Sequence, residues 1–289
     1  MKKIITIVLF LLGCHFVTAQ NATIAKLKYE EAEEAYLADN YETVLIKLDE
    51  AQKEFGKTNP PIMHLRIMAQ SKLLGEFPHN KGDLLLKLNQ NCKFYLKEYE
   101  KISGIEDKYK EVYKTMDGIS IYSSNPNFFK ARELYYGDSS GFKQAVAVCQ
   151  KAISEGDSHA MNLLGLMYGS GSGVEKSPKL ELEWIQKSAN AGSVFGILSL
   201  GKFYLKGHEL VAKDKTKGIE YITKAANKGF SNAINVMGDM YYYGEYETPR
   251  NYKAASEWYL KAAEKGSISA MRQVGNINYF GGNGATKDY

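Results

Sequence analysis

The sequence contains few of the residues that build disulfide scaffolds and metal sites. Three cysteines in 289 residues are too few for a disulfide-dense fold, or for a zinc or iron–sulfur site with several cysteine ligands. The five histidines show no H-E-x-x-H and no ligand pair three or four residues apart on one helix. The formal net charge is only +4, which is too little for a protein that binds nucleic acid along a basic stripe. We therefore expect no metal, no cofactor and no nucleic-acid partner.

Long hydrophobic runs are also absent, apart from one at the amino terminus. Residues 4–12 form an apolar run, with Thr6 as its single polar residue, after the basic Lys2 and Lys3, and a short stretch follows that ends in the small residue Ala19. These are the three parts of a secretory signal peptide. The run is too short to cross a bilayer, which needs about 20 residues. We predict a signal peptide over residues 1–19 and expect no membrane span.

A second interpretation of the amino terminus is a lipid anchor. Residues 11–14 resemble a lipoprotein box with Cys14 as the lipidated residue, although a smaller residue than Leu12 usually precedes the glycine. Both interpretations predict export, to the periplasm or medium in the first case and to an anchored position in the envelope in the second. In an oxidising compartment, the remaining Cys92 and Cys149 either pair or lie apart as buried thiols.

The rest of the composition is that of a protein with a substantial core. Hydrophobic residues make up 44% of the chain and charged residues 24%, which separates it from disordered proteins. The length leaves room for one large domain or two ordinary ones. The 26 glycines and 21 tyrosines stand out because many of them recur at regular intervals.

A short block with an apolar residue before a glycine recurs in the second half of the chain. The spacings between these anchor glycines are 36, 37 and 37 residues. The anchor glycines are Gly165, Gly201, Gly238 and Gly275. A second block, K-[SA]-A-x-x-G, follows the first and starts three residues after an aromatic side chain. The aromatic residues are Trp184, Tyr221 and Trp258, and the blocks end at Gly192, Gly229 and Gly266, with an earlier, shorter copy ending at Gly156.

Both blocks indicate helices that pack closely. The small, apolar, glycine and tyrosine positions of the first block lie on one side of a helix. A glycine inside a helix costs about 1 kcal/mol relative to alanine, so its recurrence indicates a neighbouring helix that leaves no room for a side chain. We expect the aromatic residue of the second block to be the bulky contact of the second helix, and the final glycine to end that helix in a left-handed conformation. Each unit is then a helix hairpin that must stack on the next.

The two blocks resemble the Sel1-like repeat family, whose pattern is A-x-x-x-L-G-x-x-Y-x-x-G followed by K-A-x-x-W-x-x-K-A-A-x-x-G. The resemblance covers about residues 128–289. It implies an all-α fold, a right-handed α-solenoid of stacked helix hairpins. It also implies a non-catalytic scaffold or adaptor whose partner is another protein or a peptide.

The amino-terminal region also predicts helix pairs. Residues 21–56 form a pair with a turn at Asp39-Asn40 and an end at Gly56, and they resemble a tetratricopeptide repeat in their small residue, the Tyr after the turn and the late Ala. Further helical segments are expected from about 60 to 74, 81 to 101 and 105 to 123.

These patterns divide the chain into three parts. After the signal peptide of residues 1–19, we predict a tetratricopeptide-like region over residues 20–126 and Sel1-like repeats over residues 127–289. The boundary is placed at Asn125-Pro126, where a proline follows a turn-forming residue.

The candidate binding residues follow from the analogy with tetratricopeptide repeats, in which the first helix of each unit lines the concave face. The positions three before and one after each anchor glycine should face this groove. They are Asn162, Leu198, Asn235 and Arg272, and then Leu166, Lys202, Asp239 and Asn276. We add Tyr242 and Tyr243, because consecutive tyrosines cannot all point inward and tyrosine is favoured in interfaces.

Two alternatives to a binding scaffold stay open. The first is a secreted hydrolase acting on β-lactam or cell-wall substrates, since some secreted Sel1-like proteins are linked to such activity and Ser140 and Ser199 each start an S-x-x-K match. Those relatives carry a cysteine pair in each repeat, which this chain lacks, and neither S-D-N nor K-T-G occurs. We therefore expect no enzyme and no catalytic residue. The second alternative is a structural spacer without a specific groove.

Overall fold

The computed structural model describes residues 19–75, 78–264 and 267–280. The predicted signal peptide, apart from Ala19, lies outside the described residues, as does Cys14, so both assignments stay predictions. Regular secondary structure in the described chain is helical throughout, which confirms the predicted all-α class. None of the described helices combines the length and the apolar character needed to cross a membrane.

The helices fall into two compact units, one ending at Ser120 and the other beginning at Ile121. The first unit contains α1 (Ala19–Leu37), α2 (Tyr41–Phe55), α3 (Pro60–Leu74), α4 (Gly82–Glu98) and α5 (Glu106–Ile119). The second contains α6 (Pro126–Tyr136), α7 (Phe142–Ser154), α8 (Ser158–Ser170), α9 (Pro178–Asn190), α10 (Val194–Lys206), α11 (Lys215–Asn227), α12 (Ser231–Tyr243), α13 (Tyr252–Ala263) and α14 (Ile268–Phe280). The predicted boundary at Asn125-Pro126 coincides with the start of α6, and residues 121–125 pack with the second unit.

The helices of the first unit begin close to the predicted positions, but α5 ends at Ile119, so the predicted helical segment of about 105–123 is wrong at its end. Asn40 caps α2 by accepting a hydrogen bond from the Thr43 N–H, and Gly56 ends it with φ of 76°. Asn59 caps α3 in the same way, with proline at the first helical position. The core between α1, α2 and α3 includes Leu48 and the fully buried Phe55.

The helices of the second unit form hairpins that end in glycine. Gly156, Gly192 and Gly229 have φ of 90°, 85° and 87° and follow the ends of α7, α9 and α11. In α9 the N–H of Ser193 donates to the Ser188 carbonyl at 3.1 Å, the long-range bond of the Schellman motif. The predicted left-handed helix ends are confirmed for these three copies, and Gly266 lies outside the described residues.

Each anchor glycine of the first three copies lies directly under a side chain of the following helix. The partners are Ile185 for Gly165, Ile222 for Gly201 and Tyr259 for Gly238. A Cβ atom on these glycines would lie between 2.5 and 2.8 Å from the partner side chain, closer than carbon atoms approach. The predicted close packing is therefore confirmed. Each glycine lowers the helix propensity, but it allows a large side chain to be buried, which stabilises the fold by about 2–3 kcal/mol.

The bulky contact of the second helix is not the predicted aromatic residue. Trp184, Tyr221 and Trp258 are only half-buried, whereas the residue after each of them fills the space at the anchor glycine. One residue corresponds to a turn of about 100° around a helix, which moves the aromatic side chain to the rim of the interface. There the ammonium groups of Lys187 and Lys261 lie 4.5 and 4.1 Å from the ring centres of the two tryptophans.

Cys92 and Cys149 are both buried and form no disulfide. Of the two alternatives drawn from the sequence, the structure contains the separate buried thiols. Burial raises the pKa of each thiol to about 12, so both stay protonated and unreactive at neutral pH.

The anchor glycine contact predicts a selective effect of alanine. In Gly201→Ala, the new Cβ would meet the Ile222 side chain at 2.8 Å and the Gly218 carbonyl oxygen at 3.1 Å. We expect an overpacking cost of about 2–3 kcal/mol, more than the gain of about 1 kcal/mol in helix propensity. Urea unfolding followed by tryptophan fluorescence measures it, because both tryptophans lie in the second unit.

Gly275→Ala is the matched control. Its Cβ would meet no described atom within 4 Å, so alanine should keep the propensity gain and leave the urea midpoint unchanged or slightly higher. Equal midpoints for the two variants would show that close packing does not explain the glycine repeat.

Candidate functional site

The first helices of the hairpins lie closer to one another than the second helices do. Helix α6 approaches α8, and α8 approaches α10, whereas α7, α9 and α11 make no comparable contact with one another in the described chain. Helices α6, α8 and α10 therefore line the inner side of this part of the stack, and we assign α12 and α14 to the same side because each is the first helix of its repeat. We call the inner face the surface of α8, α10, α12 and α14 that carries the predicted binding positions, namely those three before and one after the anchor glycines, with Tyr242 and Tyr243.

The predicted binding residues differ widely in their exposure. The exposed ones are Lys202, Tyr243 and Arg272. Those that are half-buried are Leu166, Asn235, Asp239, Tyr242 and Asn276. The buried ones are Asn162 and Leu198, with 5% and 6% of their surface exposed. Exposed residues thus come from α10, α12 and α14, one from each successive first helix.

Asn162 and Leu198 are packing residues in this structure and not open recognition positions. Both lie three residues before an anchor glycine, on α8 and α10, which approach each other directly. The Asn162 Oδ1 atom is buried without a hydrogen-bond partner. The position three before the glycine is therefore buried in these two copies, half-buried at Asn235 and exposed at Arg272.

Lys202 carries a charge that is poorly hydrated for a surface residue. It is exposed on α10, but neighbouring groups remove part of the water around its ammonium, and Lys206 adds a like charge. Burial and, second, this repulsion lower the pKa of Lys202. An ammonium in this environment gains more from a carboxylate partner than a fully hydrated lysine does.

Asp239 belongs to the packing of its repeat as well as to the inner face. The Tyr259 hydroxyl, which reaches past Gly238, donates to the Asp239 Oδ1 atom at 2.7 Å. Burial first, and then this bond to a carboxylate, raise the pKa of Tyr259. Asp239 is therefore a poor site for a binding test, because its replacement would also leave a buried hydroxyl without its acceptor.

The consecutive tyrosines divide their roles. Tyr242 packs edge-on against Tyr252 and Tyr259, with ring centres 5.3 and 6.3 Å apart. Tyr243 leaves 49% of its surface exposed, and its carbonyl oxygen accepts a hydrogen bond from Arg250 Nε at 3.1 Å. Tyr242 thus serves packing, and Tyr243 presents an aromatic surface to solvent.

The sequence analysis missed a row of aromatic side chains at the amino-terminal ends of the first helices. His159 lies 5.9 Å from Phe128 and 5.4 Å from Phe195, and Phe195 lies 4.9 Å from Phe230, as measured between ring centres. We call these four residues the aromatic row. It joins α6, α8, α10 and the start of α12. The only signal in the sequence was the shared position of His159 and Phe195, six residues before their anchor glycines.

The segment of residues 121–125 lies against the aromatic row although it forms no helix. The Ile121 carbonyl oxygen accepts a hydrogen bond from His159 Nε2 at 2.9 Å. The Tyr122 ring lies 6.2 Å from the Phe230 ring, and its hydroxyl is hydrogen-bonded to Ser231. This part of the inner face is therefore covered by the chain itself.

The other candidate chemistries gain no support from the geometry. No group of three or more histidine, cysteine, aspartate or glutamate side chains that could hold a metal occurs among the described residues. Of the two S-x-x-K serines, Ser140 uses its hydroxyl to bond Asp138. In the other match, which joins Ser199 to Lys202, burial and Lys206 lower the pKa of Lys202, and Ser199 is not among the causes.

Stacked helix hairpins form an α-solenoid, an architecture whose extended surfaces commonly bind other proteins. Comparison with family models finds four matches to the Sel1 repeat, over residues 158–193, 196–230, 231–267 and 268–289. Residues 158–289 are therefore similar to Sel1 repeats, as the sequence motifs predicted. Sel1 repeat proteins generally act as protein-interaction scaffolds.

Solved structures with similarity to this chain include Sel1 repeat proteins. A protective antigen of uropathogenic Escherichia coli strains, which displays an SLR fold, is 26% identical over 72% of this chain and 43% of its own, with a TM-score of 0.46. A Sel1 repeat protein from Oxalobacter formigenes is 28% identical over 44% of this chain and 95% of its own, with a TM-score of 0.38. Cysteine rich protein B of Helicobacter pylori is 27% identical over 43% of this chain and 92% of its own, with a TM-score of 0.33.

This chain thus spans less than half the length of the first of these proteins. A search of curated proteins finds no match.

The bond between Tyr259 and Asp239 predicts a measurable contribution to stability. Tyr259→Phe removes the hydroxyl and keeps the ring over Gly238, so we expect a loss of about 1 kcal/mol in the free energy of unfolding. Urea unfolding at neutral pH measures it. Tyr243→Phe, which alters an exposed ring, should leave the midpoint unchanged. Equal losses in the two variants would show that the bond to Asp239 does not stabilise the repeat.

Proposed function

We propose that this chain is a non-catalytic scaffold of the cell envelope that binds an extended segment of another protein on its inner face. The observation that carries the proposal is that Lys202, Tyr243 and Arg272 stand exposed on three successive first helices. An extended segment that crosses these helices meets one of the three side chains at each repeat.

The chemistry of these residues points to an acidic segment. Lys202 and Arg272 are both cationic, and the partly desolvated ammonium of Lys202 favours a carboxylate. Tyr243 lies between them in sequence and offers an aromatic surface together with a hydroxyl. The partner is therefore expected to present acidic side chains two repeats apart, with an apolar or aromatic side chain at the repeat between them.

Location in the envelope rests on the sequence of the amino terminus. A basic start, an apolar run over residues 4–12 and a small residue at Ala19 support export through a signal peptide. Attachment through Cys14 is the alternative for the same segment.

Charge reversal on the inner face is the direct test of binding. The variant Lys202→Glu/Arg272→Glu should capture about tenfold less partner protein from an envelope extract than the unaltered chain captures. The reason is that two favourable charge contacts become repulsive. Quantitative mass spectrometry of the captured proteins measures this loss. Asp239 is left unaltered because of its bond to Tyr259.

Lys224→Glu/Lys253→Glu is the matched control, because it makes the same change in net charge on exposed residues of the second helices α11 and α13. It should capture the partner as well as the unaltered chain does. Equal loss in the two double variants would indicate a non-specific charge effect and would contradict binding on the inner face. Full capture by both would contradict it too.

The export proposal has its own test. Expression of the full chain in a bacterial host, followed by mass spectrometry of the amino-terminal peptide, should find a mature chain that begins at Gln20. A diacylated peptide that begins at Cys14, lost in Cys14→Ala, would instead establish the lipid anchor. An intact Met1 in the cytoplasmic fraction would contradict export.

A further inference from the structure

Residues 121–123, which we call the strap, cover the amino-terminal end of the inner face although they belong to no helix. Tyr122 and Ser123 retain only 7% and 5% of their exposure, whereas Ser124 is exposed. Irregular segments normally run over the surface, so burial of two consecutive side chains indicates that specific contacts hold the strap.

The contacts of the strap are those by which a groove binds an extended peptide. A carbonyl oxygen only accepts, so His159 must donate from Nε2 to the Ile121 oxygen, a bond to the main chain that any residue at this position would allow. The Ser123 hydroxyl donates to Asp157, whose other carboxylate oxygen is fixed by the N–H groups of His159 and Ala160 at 2.8 and 2.9 Å. The surface thus binds one main-chain carbonyl group and one side-chain hydroxyl of the strap.

Specificity comes from the tyrosine. The Tyr122 ring packs on Phe230, and its hydroxyl bonds to Ser231 at the first residue of α12. Tyr122 therefore reaches α12, the fourth of the first helices α6, α8, α10 and α12, although it precedes α6 in sequence. A ring of this size with a polar tip is what the site accepts.

The surface under the strap is built without the strap. Phe195 contacts Phe128, His159 and Phe230 within the repeats themselves, at 6.1, 5.4 and 4.9 Å between ring centres. Asp157 is held by the helix that it caps. Departure of the strap would therefore leave a formed site with an aromatic floor and fixed polar groups, which is the condition for exchange with another peptide.

We propose that the strap is a tethered occupant of the inner face, and that an extended partner segment carrying a tyrosine followed by a serine binds there by displacing it. The proposal deepens the proposed function and rests on it, since it gives the second half of the recognition chemistry. The apparent affinity for the partner is then the affinity of the open site multiplied by the fraction of molecules in which the strap has left it. Its covalent link gives it a high effective concentration, which a free peptide must overcome.

A peptide of the strap's own sequence is the probe. Fluorescently labelled Ile-Ser-Ile-Tyr-Ser-Ser-Asn, which reproduces residues 119–125, is titrated by anisotropy against the mature chain and against Tyr122→Ala. We expect Tyr122→Ala to bind the peptide about tenfold more tightly than the unaltered chain does, because the competing side chain is gone. The same peptide with alanine in place of tyrosine should not bind either protein.

Ser123→Ala is a second, milder variant that keeps the test valid if Tyr122→Ala does not fold. It removes the hydrogen bond to Asp157 and the one that the hydroxyl accepts from the Asn125 N–H, and it leaves Tyr122 in place, so a smaller gain of about threefold is expected with a native circular dichroism spectrum. No binding to either variant, or equal binding to all three proteins, would overturn the proposal and make the strap a fixed part of the fold. The assay contains no partner protein, so its result is independent of the capture experiment with Lys202 and Arg272.

Discussion

Three successive repeats depend on one contact, in which the second helix places a branched or aromatic side chain on a glycine of the first. Ile185, Ile222 and Tyr259 fill this position in three successive hairpins. The contact sets the distance between the two helices of a hairpin and leaves the opposite side of the first helix free to line the inner face. The residue directly after the glycine differs between copies, as Leu166, Lys202 and Asp239 show. A constant packing position and a variable position are thus adjacent in each copy.

Much of this architecture follows from periodicity alone. The left-handed helix ends and the close helix packing can be predicted because both require glycine, which is the residue without a Cβ atom. The regular spacing of these glycines then indicates repeated helix hairpins and an all-α class. The error of one residue in the second helix has a physical origin. Trp184 and Ile185 are both large and apolar, and the pattern does not say which of them faces the glycine and which one lies at the rim beneath Lys187.

The candidate site was less predictable, because it depends on contacts between repeats and not within them. Asn162 and Leu198 occupy the same template position as the exposed Arg272, and their burial results from the approach of α8 to α10. The strap leaves no periodic signal at all. Its tyrosine lies in a stretch that was predicted to be helical, and its contact with Phe230 joins residues more than a hundred positions apart. Sequence patterns report local geometry, whereas this surface is made by tertiary contacts.

In the proposed mode of binding, the inner face, and not the outer surface of the second helices, contacts the partner. Site-specific photocrosslinking distinguishes the two surfaces, with benzoylphenylalanine placed at position 202 in one chain and at position 224 in another, both in the living host. Binding on the inner face should give a covalent adduct with one partner protein from position 202 and none from position 224. The same adducts from both positions, or an adduct from position 224 alone, would contradict it.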